Sequence, residues 1–206
     1  MSDPFFFGYG SLVNRETHDY PDAEPARIRG WRREWRTSQR FGRTFLSAVR
    51  DPGVAIDGLV ARVPGADWAA LDAREAGYAR HMLSGEELQA ARPLRAQVYA
   101  ICDSESFLPT EAHPIRLSYL DVVVAGFLRE FGEAGVAHFF ETTTGWAATI
   151  DDRAKPLYAR ARPVSADIRA RVDLHLNALG IAPDGSSRSS LPPGRSGLRP
   201  PIPSRR

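Results

Sequence analysis

An α+β fold, built as a small mixed or antiparallel β-barrel with flanking α-helices, is predicted by three observations on this 206-residue chain. Strand-like runs crowd into the first half, helical periodicity is concentrated in the second, and the strict strand–helix alternation of a doubly wound sheet is absent. The length suits one domain of ordinary size, able to bury roughly 70 % of the surface its unfolded chain exposes. Residues 1–181 are read as that single domain. Residues 182–206 are read as a disordered tail, because their Pro, Ser, Gly and Arg content offers nothing to build a core.

The elements follow in chain order. Phe5-Phe6-Phe7 favours a buried strand and ends abruptly at Gly8-Tyr9-Gly10-Ser11-Leu12, where two glycines permit left-handed dihedrals or close approach of a ligand to the backbone. Successive N–H groups on such a bend can face an anion. Asn14 to Pro25 is a punctuated loop. Arg27 to Ser38 reads as a twisted strand bent at Gly30, its arginines and tryptophans forming a solvated face with guanidinium stacked on indole. Thr44–Val49 and Val54–Val63 read as a hairpin turning at Asp51-Pro52-Gly53. Asp67 caps a helix with Trp68, Ala70 and Leu71 on one face, ending near Gly77. Tyr78–Met82 and Leu94–Cys102 are further strands. Ser118 to Asp121 resembles a capping box that opens an amphipathic helix, with Leu120, Val123, Val124, Phe127, Leu128 and Phe131 inward and Gly132 as its stop. A short helix over Val136–Glu141 follows. Ser165 caps a last helix through Leu179, with Ile168, Val172, Leu176 and Leu179 inward and Gly180 closing it.

Composition removes several function classes. One cysteine, Cys102, excludes an internal disulfide framework and a cysteine-based zinc motif, and its apolar neighbours mark it as a small buried thiol. No run approaches the roughly 18 apolar residues of a membrane span, and Asp3 stands where a secretory leader carries a cation. The expectation is a soluble, cytoplasmic protein. The formal charge of +2 conceals a tail with five arginines against one aspartate, which leaves −2 for residues 1–181. That balance gives no support for a nucleic-acid surface.

Few constellations carry chemistry. His18, His81, His113, His138 and His175 show no pair spaced for one helical face, so no metal site is expected. Ser11, His18 and Asp19 can be drawn as a triad, but no nucleophile elbow surrounds Ser11. Glu75 stands apart: it ends the amphipathic helix just before Gly77-Tyr78, where a carboxylate can point into a barrel mouth. A surface glutamate paired with Arg74 or Arg80 is the structural alternative.

Phe7-Gly8-Tyr9-Gly10-Ser11-Leu12 together with Arg74-Glu75-Ala76-Gly77-Tyr78 resembles the gamma-glutamylcyclotransferase superfamily, including its ChaC and AIG2-like branches. Gly30-Trp31-Arg32-Arg33, Gly58-Leu59-Val60 and Val98-Tyr99 extend the similarity more loosely. The resemblance implies a barrel with flanking helices, a substrate loop at Tyr9, Gly10, Ser11 and Leu12 that holds a γ-glutamyl group, and Glu75 as catalytic acid and base. It implies no cofactor. Tyr9 and Tyr78 are the hydroxyls expected to hold Glu75 in place, and Glu141 is the runner-up carboxylate. Val13-Asn14-Arg15-Glu16 departs from the ChaC pattern after the first motif, and Ala76 replaces a glycine after the glutamate, both of which weaken the case for glutathione. The implied activity is cyclisation of a small-molecule γ-glutamyl amide to 5-oxoproline. A pocket on the same barrel that binds such a ligand without turnover is the second reading. Neither oligomeric state nor leaving group is legible.

Overall fold

The computed structural model of the chain describes residues 3–101 and 103–182. Cys102 and the tail beyond Ala182 therefore lie outside the described residues, along with what the sequence predicts for them. The α+β reading holds, with a mixed sheet curled into a half-barrel. Along it run β4 (Ala79–Met82), β6 (Ala96–Ala100), β1 (Phe5–Gly8), β3 (Arg43–Arg62), β2 (Glu24–Ser38) and β5 (Leu88–Gln89). The β1–β6 pair is parallel and the other neighbours on this path are antiparallel. Short strands β7 (Ser106–Phe107) and β9 (Thr143–Thr144) also pair with β2, and β8 (Ile115–Arg116) pairs in parallel with β10 (Thr149–Ile150). Among the described residues three α-helices flank the sheet: α1 (Ala69–Arg74), α2 (Leu117–Glu141) and α3 (Ala166–Ala178).

β1 sits mid-sheet, buried on both faces, and its alternation divides the core. Phe5 and Phe7 join the main cluster with Leu120, Val123 and Phe127 of α2, while Phe6 packs with Leu12, Val63 and Leu71 on the other face. This is the period-two consequence of a strand covered on both sides. α2 buries Leu120, Val123, Val124 and Phe127 as its periodicity predicts, and the break falls at Gly132, beyond which the helix resumes to Glu141. In α3, Ile168, Val172 and Leu176 are inward, but Leu179 at the terminus is exposed.

Three local expectations are corrected. The hairpin turn at Asp51-Pro52-Gly53 is absent, because β3 runs unbroken as a 20-residue strand and the true hairpin joins β2 to β3 near residues 39–42. Arg29 faces Ala55 and Trp31 faces Arg50, so the Asp-Pro-Gly run is a bulge opposite Gly30. A proline cannot donate to a ladder, and a bulge accommodates it as well as a turn does. The capping box is replaced by a tertiary cap: Asp152 accepts from the Ser118 N–H (2.8 Å) and from its hydroxyl (2.5 Å), while Asp121 pairs with Arg153 (2.9 Å). α1 stops at Arg74, earlier than Gly77.

The Arg/Trp strand is also less solvated than its composition suggests. Arg50 does stack on Trp31, 3.9 Å from the ring centroid, yet Arg33 is wholly buried between Phe127 and Phe139. Its Nε donates to the Tyr9 carbonyl oxygen (2.9 Å), Nη1 to Thr142 Oγ1 (2.8 Å), and Nη2 to the Asp57 carbonyl oxygen. One guanidinium therefore ties the end of β1 to β3 and to the end of α2.

Candidate active site

The loop after β1 is fixed by short-range geometry. Ser11–Val13 form one 3-10 turn, with the N–H of Val13 donating to the carbonyl of Gly10 (3.0 Å). His18 accepts from the Tyr20 N–H at Nδ1 (3.2 Å), which leaves Nε2 to donate to the Leu12 carbonyl oxygen (3.0 Å). Burial pushes the His18 imidazole below its ordinary pKa, in keeping with that neutral form. The triad is thereby excluded, since His18 is spent on backbone and Ser11 Oγ instead accepts from Arg74 (3.4 Å).

Gly10 has a negative φ of −125°, so a left-handed backbone does not explain it. Close approach does. A Cβ at Gly10 would sit 2.6 Å from the hydroxyl of Tyr119, which α2 delivers against the loop. That hydroxyl also interacts with the Ser11 backbone, although burial dominates and raises its pKa.

Glu75 follows the last residue of α1, and the chain then reverses through Gly77, whose φ of +96° suits glycine. The reversal sends Tyr78 inward and starts β4. The Glu75 side chain is 17 % exposed and meets Arg74 Nε at 3.2 Å; Arg74 is itself held by the Thr17 carbonyl oxygen (2.8 Å) and Thr17 Oγ1 (3.1 Å). Burial raises the Glu75 carboxyl above the ordinary glutamate value, and the positive charges of Arg74 and Arg160 oppose that rise. The alternative pairing with Arg80 is not made, because Arg80 meets Asp72 (3.0 Å).

The expected hydroxyl clamp on Glu75 is a further correction. Tyr9 donates to the Tyr99 carbonyl oxygen (2.6 Å) and Tyr78 to the Leu46 carbonyl oxygen (2.9 Å), so both tyrosines serve the walls rather than the carboxylate. Burial raises both phenols well above their ordinary pKa, and the Glu75 charge adds to this. They remain neutral beside it.

Two cavities meet at these residues. A small one, about 30 Å³, is bounded by Gly8 through Leu12 with Tyr78, Tyr99 and Tyr119. A larger one, about 220 Å³, is lined by Trp35, Arg43, Arg74, Arg116, Tyr158 and Arg160, among others. Ser11, Glu75, Tyr78 and Tyr119 border both, and Glu75 is the carboxylate common to the two. Tyr9, Gly10 and Leu12 border the small one. Glu141 is exposed at the end of α2 and lines neither. Tyr119, Tyr158, Arg116 and Arg160 carry no sequence signal that marks them for the site, because β8, the start of α2 and the segment before α3 approach the loop through tertiary packing. Tyr119 sits inside an apolar helical run, a polar-tipped residue that periodicity alone assigns to the core.

The family model for gamma-glutamyl cyclotransferase, AIG2-like, matches residues 6–117, more than half of the chain. No curated protein sequence matches. Among solved structures, one called a gamma-glutamyl cyclotransferase superimposes with a TM-score of 0.53 at 17 % identity, covering 82 % of this chain and 97 % of that one. A human protein described as uncharacterized superimposes at 0.51 and 16 % identity, covering 82 % of this chain and 98 % of that one. At such identities the structures speak to the fold, and the family model speaks to the sequence. The matched span contains both the loop from Tyr9 to Leu12 and Glu75, and the chain belongs to the AIG2-like gamma-glutamyl cyclotransferase family.

Proposed function

We propose that the protein is a cofactor-independent γ-glutamyl cyclotransferase that converts a γ-glutamyl amide to 5-oxoproline and a free amine. The observation that carries the reading is Glu75, a largely buried carboxylate of raised pKa that faces the Tyr9–Leu12 loop across the junction of two cavities. The substrate supplies its own nucleophile, the α-amine, one ring closure from its γ-carbonyl carbon, so positioning and proton transfer suffice.

In this mechanism backbone N–H groups of Gly10, Ser11 and Leu12 hold the α-carboxylate. Glu75 takes a proton from the α-ammonium, and the freed nitrogen forms a bond to the γ-carbonyl carbon. That first proton passes to solvent; as the nitrogen bonds to carbon Glu75 takes a second proton from it and delivers this one to the departing nitrogen, whose bond to the carbon breaks, leaving the neutral lactam and a free amine. Ordinary glutamate near pKa 4.3 is a weak base for this task, and burial brings it closer to the working pH. Tyr9 and Tyr78, locked on backbone carbonyls, shape the pocket and keep water from Glu75.

The test is release of 5-oxoproline from γ-glutamyl amino acids, γ-glutamylamines and glutathione, with binding measured in parallel. Saturable binding without product would leave a ligand-binding module in place of the enzyme.

A further inference from the structure

We infer that His18 is the positioning residue of the Tyr9–Leu12 loop, holding it for substrate while its ring is neutral and releasing it when the ring takes up a proton. The inference rests on the cyclotransferase reading and deepens it with a second acid-sensitive group, separate from Glu75.

The loop is braced from its outer side by the segment that follows it. Thr17 Oγ1 donates to the Ser11 carbonyl oxygen (2.9 Å), and His18 Nε2 donates to the Leu12 carbonyl oxygen (3.0 Å). A trans peptide is planar, with its C=O and N–H on opposite sides, so a hold on one end aims the other. The Ser11 carbonyl shares its peptide with the Leu12 N–H, one of the groups assigned to the α-carboxylate. The Leu12 carbonyl shares its peptide with the Val13 N–H, which donates to the Gly10 carbonyl (3.0 Å) and closes the turn. His18 thus steadies the turn from which the carboxylate-binding N–H groups project.

The ring makes this hold in one protonation state. Nδ1 accepts from the Tyr20 N–H (3.2 Å), so a proton on Nδ1 sets donor against donor. Either the ring turns or the bend from His18 to Tyr20 opens, and each draws Nε2 away from Leu12. Burial keeps the ring neutral. Arg74 of α1 and Arg15 also oppose the imidazolium, while Asp19 and the Leu12 bond favour it. Arg15 is itself paired with Glu130 (2.7 Å) and Arg74 with Glu75 (3.2 Å), and the neighbouring ring of β1, Phe6, carries no charge. Protons reach His18 through an open outer cavity of about 420 Å³ that Asp19, Tyr20, Arg74 and Arg160 also line. Glu75 borders the two inner cavities and not this one, so the two acid-sensitive groups meet solvent separately.

The experiment follows kcat and KM from about pH 5 to pH 8, the range in which histidine titrates. The substrate is whichever of the γ-glutamyl amino acids, γ-glutamylamines and glutathione releases 5-oxoproline fastest. The parent is compared with His18→Gln and His18→Asn, with the urea midpoint of each and the imidazole ¹⁵N spectrum of the parent. Glutamine places an amide N–H where Nε2 sits and does not titrate; asparagine offers Tyr20 an acceptor but stops short of Leu12. In the parent, KM should rise about 3- to 10-fold as pH falls through the His18 pKa, the worth of one hydrogen bond. Over the same range the Nε2–H tautomer should give way to imidazolium. His18→Gln should rescue the neutral-pH KM and lose the acid rise, and His18→Asn should show the raised KM at every pH. Each variant forfeits one of the two bonds, so a merely structural residue gives both the same KM. Equal KM for the two variants, or an acid rise that persists in His18→Gln, overturns the inference and leaves the cyclotransferase reading standing. An Nδ1–H tautomer in the parent does the same. Where a variant does not fold the parent decides, since a KM that stays flat across the imidazole titration also overturns the inference. Absence of 5-oxoproline from every compound overturns the cyclotransferase reading and this inference with it.

Discussion

Glu75 holds two opposed influences at one carboxyl group: burial favours the protonated form, while Arg74 and Arg160 favour the charged one, and burial prevails. Removing the base while keeping its shape, Glu75→Gln, should lower kcat by about 10²–10⁴-fold, the usual worth of general acid–base catalysis. The parent's kcat should fall at acid pH with an apparent pKa above that of an ordinary glutamate. Stability carries the opposite sign. A carboxyl whose folded pKa exceeds its unfolded one contributes stability below the unfolded value, and this is lost as pH rises through the folded value. Glu75→Gln is therefore expected to unfold at or above the parent's midpoint at neutral pH, with the difference closing under acid conditions. A variant that instead lost stability as pH rose would show that the Arg74 pair outweighs burial. Gly10 makes a second residue-scale prediction. Gly10→Ala should raise KM, and Tyr119→Phe added to it should restore part of the loss, since the clash is with the Tyr119 hydroxyl. No recovery in the double variant would place the effect in the backbone.

At the scale of elements, Asp152 and Arg33 set the frame of the site. Asp152 caps α2 at Ser118 and also accepts from the Leu157 N–H (2.9 Å), so a single carboxylate joins the helix start to the segment carrying Tyr158 and Arg160. Asp152→Ala should cost about 1–2 kcal/mol for the lost cap, and it should raise KM more than it lowers kcat. Urea titration and steady-state kinetics separate the two effects; an unchanged KM would detach that segment from substrate binding. Arg33→Lys keeps the charge but loses the fork, stranding buried acceptors at Tyr9, Asp57 and Thr142. Each stranded acceptor costs about 1–3 kcal/mol, so a large drop in the urea midpoint is expected.

For the whole molecule, the last described residue, Ala182, is tied to the sheet: its carbonyl oxygen accepts from Thr149 Oγ1 (2.9 Å). Residues 183–206, the rest of the tail that composition predicts from Ala182 onward, lie outside the described residues. Deleting residues 183–206 should leave the unfolding midpoint and turnover nearly unchanged, because so Pro-rich and weakly apolar a sequence cannot offset an ordering entropy of about 1–2 kcal/mol per residue. A loss of several kcal/mol would make the tail structural. No helix among the described residues is long and apolar enough to cross a membrane.

The sequence by itself determined the α+β class, the aromatic strand at the centre of the sheet, the apolar stripe of α2 with its break at Gly132, and the pairing of the Tyr9–Leu12 loop with Glu75. These are local signals: period-two and period-3.6 burial, glycines where backbone must turn or be approached, and two short motifs in family order. It misplaced the hairpin, because Asp-Pro-Gly satisfies a bulge and a turn alike, and partner register alone chooses between them. It assigned Ser118 and Asp121 to a local cap, where the fold substitutes Asp152 from 34 residues away. The tertiary structure decided which hydroxyls approach the loop, turned Tyr9 and Tyr78 onto backbone carbonyls, buried Arg33, and gathered Arg43, Arg116 and Arg160 around one cavity. Side chains far apart in sequence carry no mutual signal in one chain; packing α2 and the Leu157–Arg160 segment against the sheet is what brings them together.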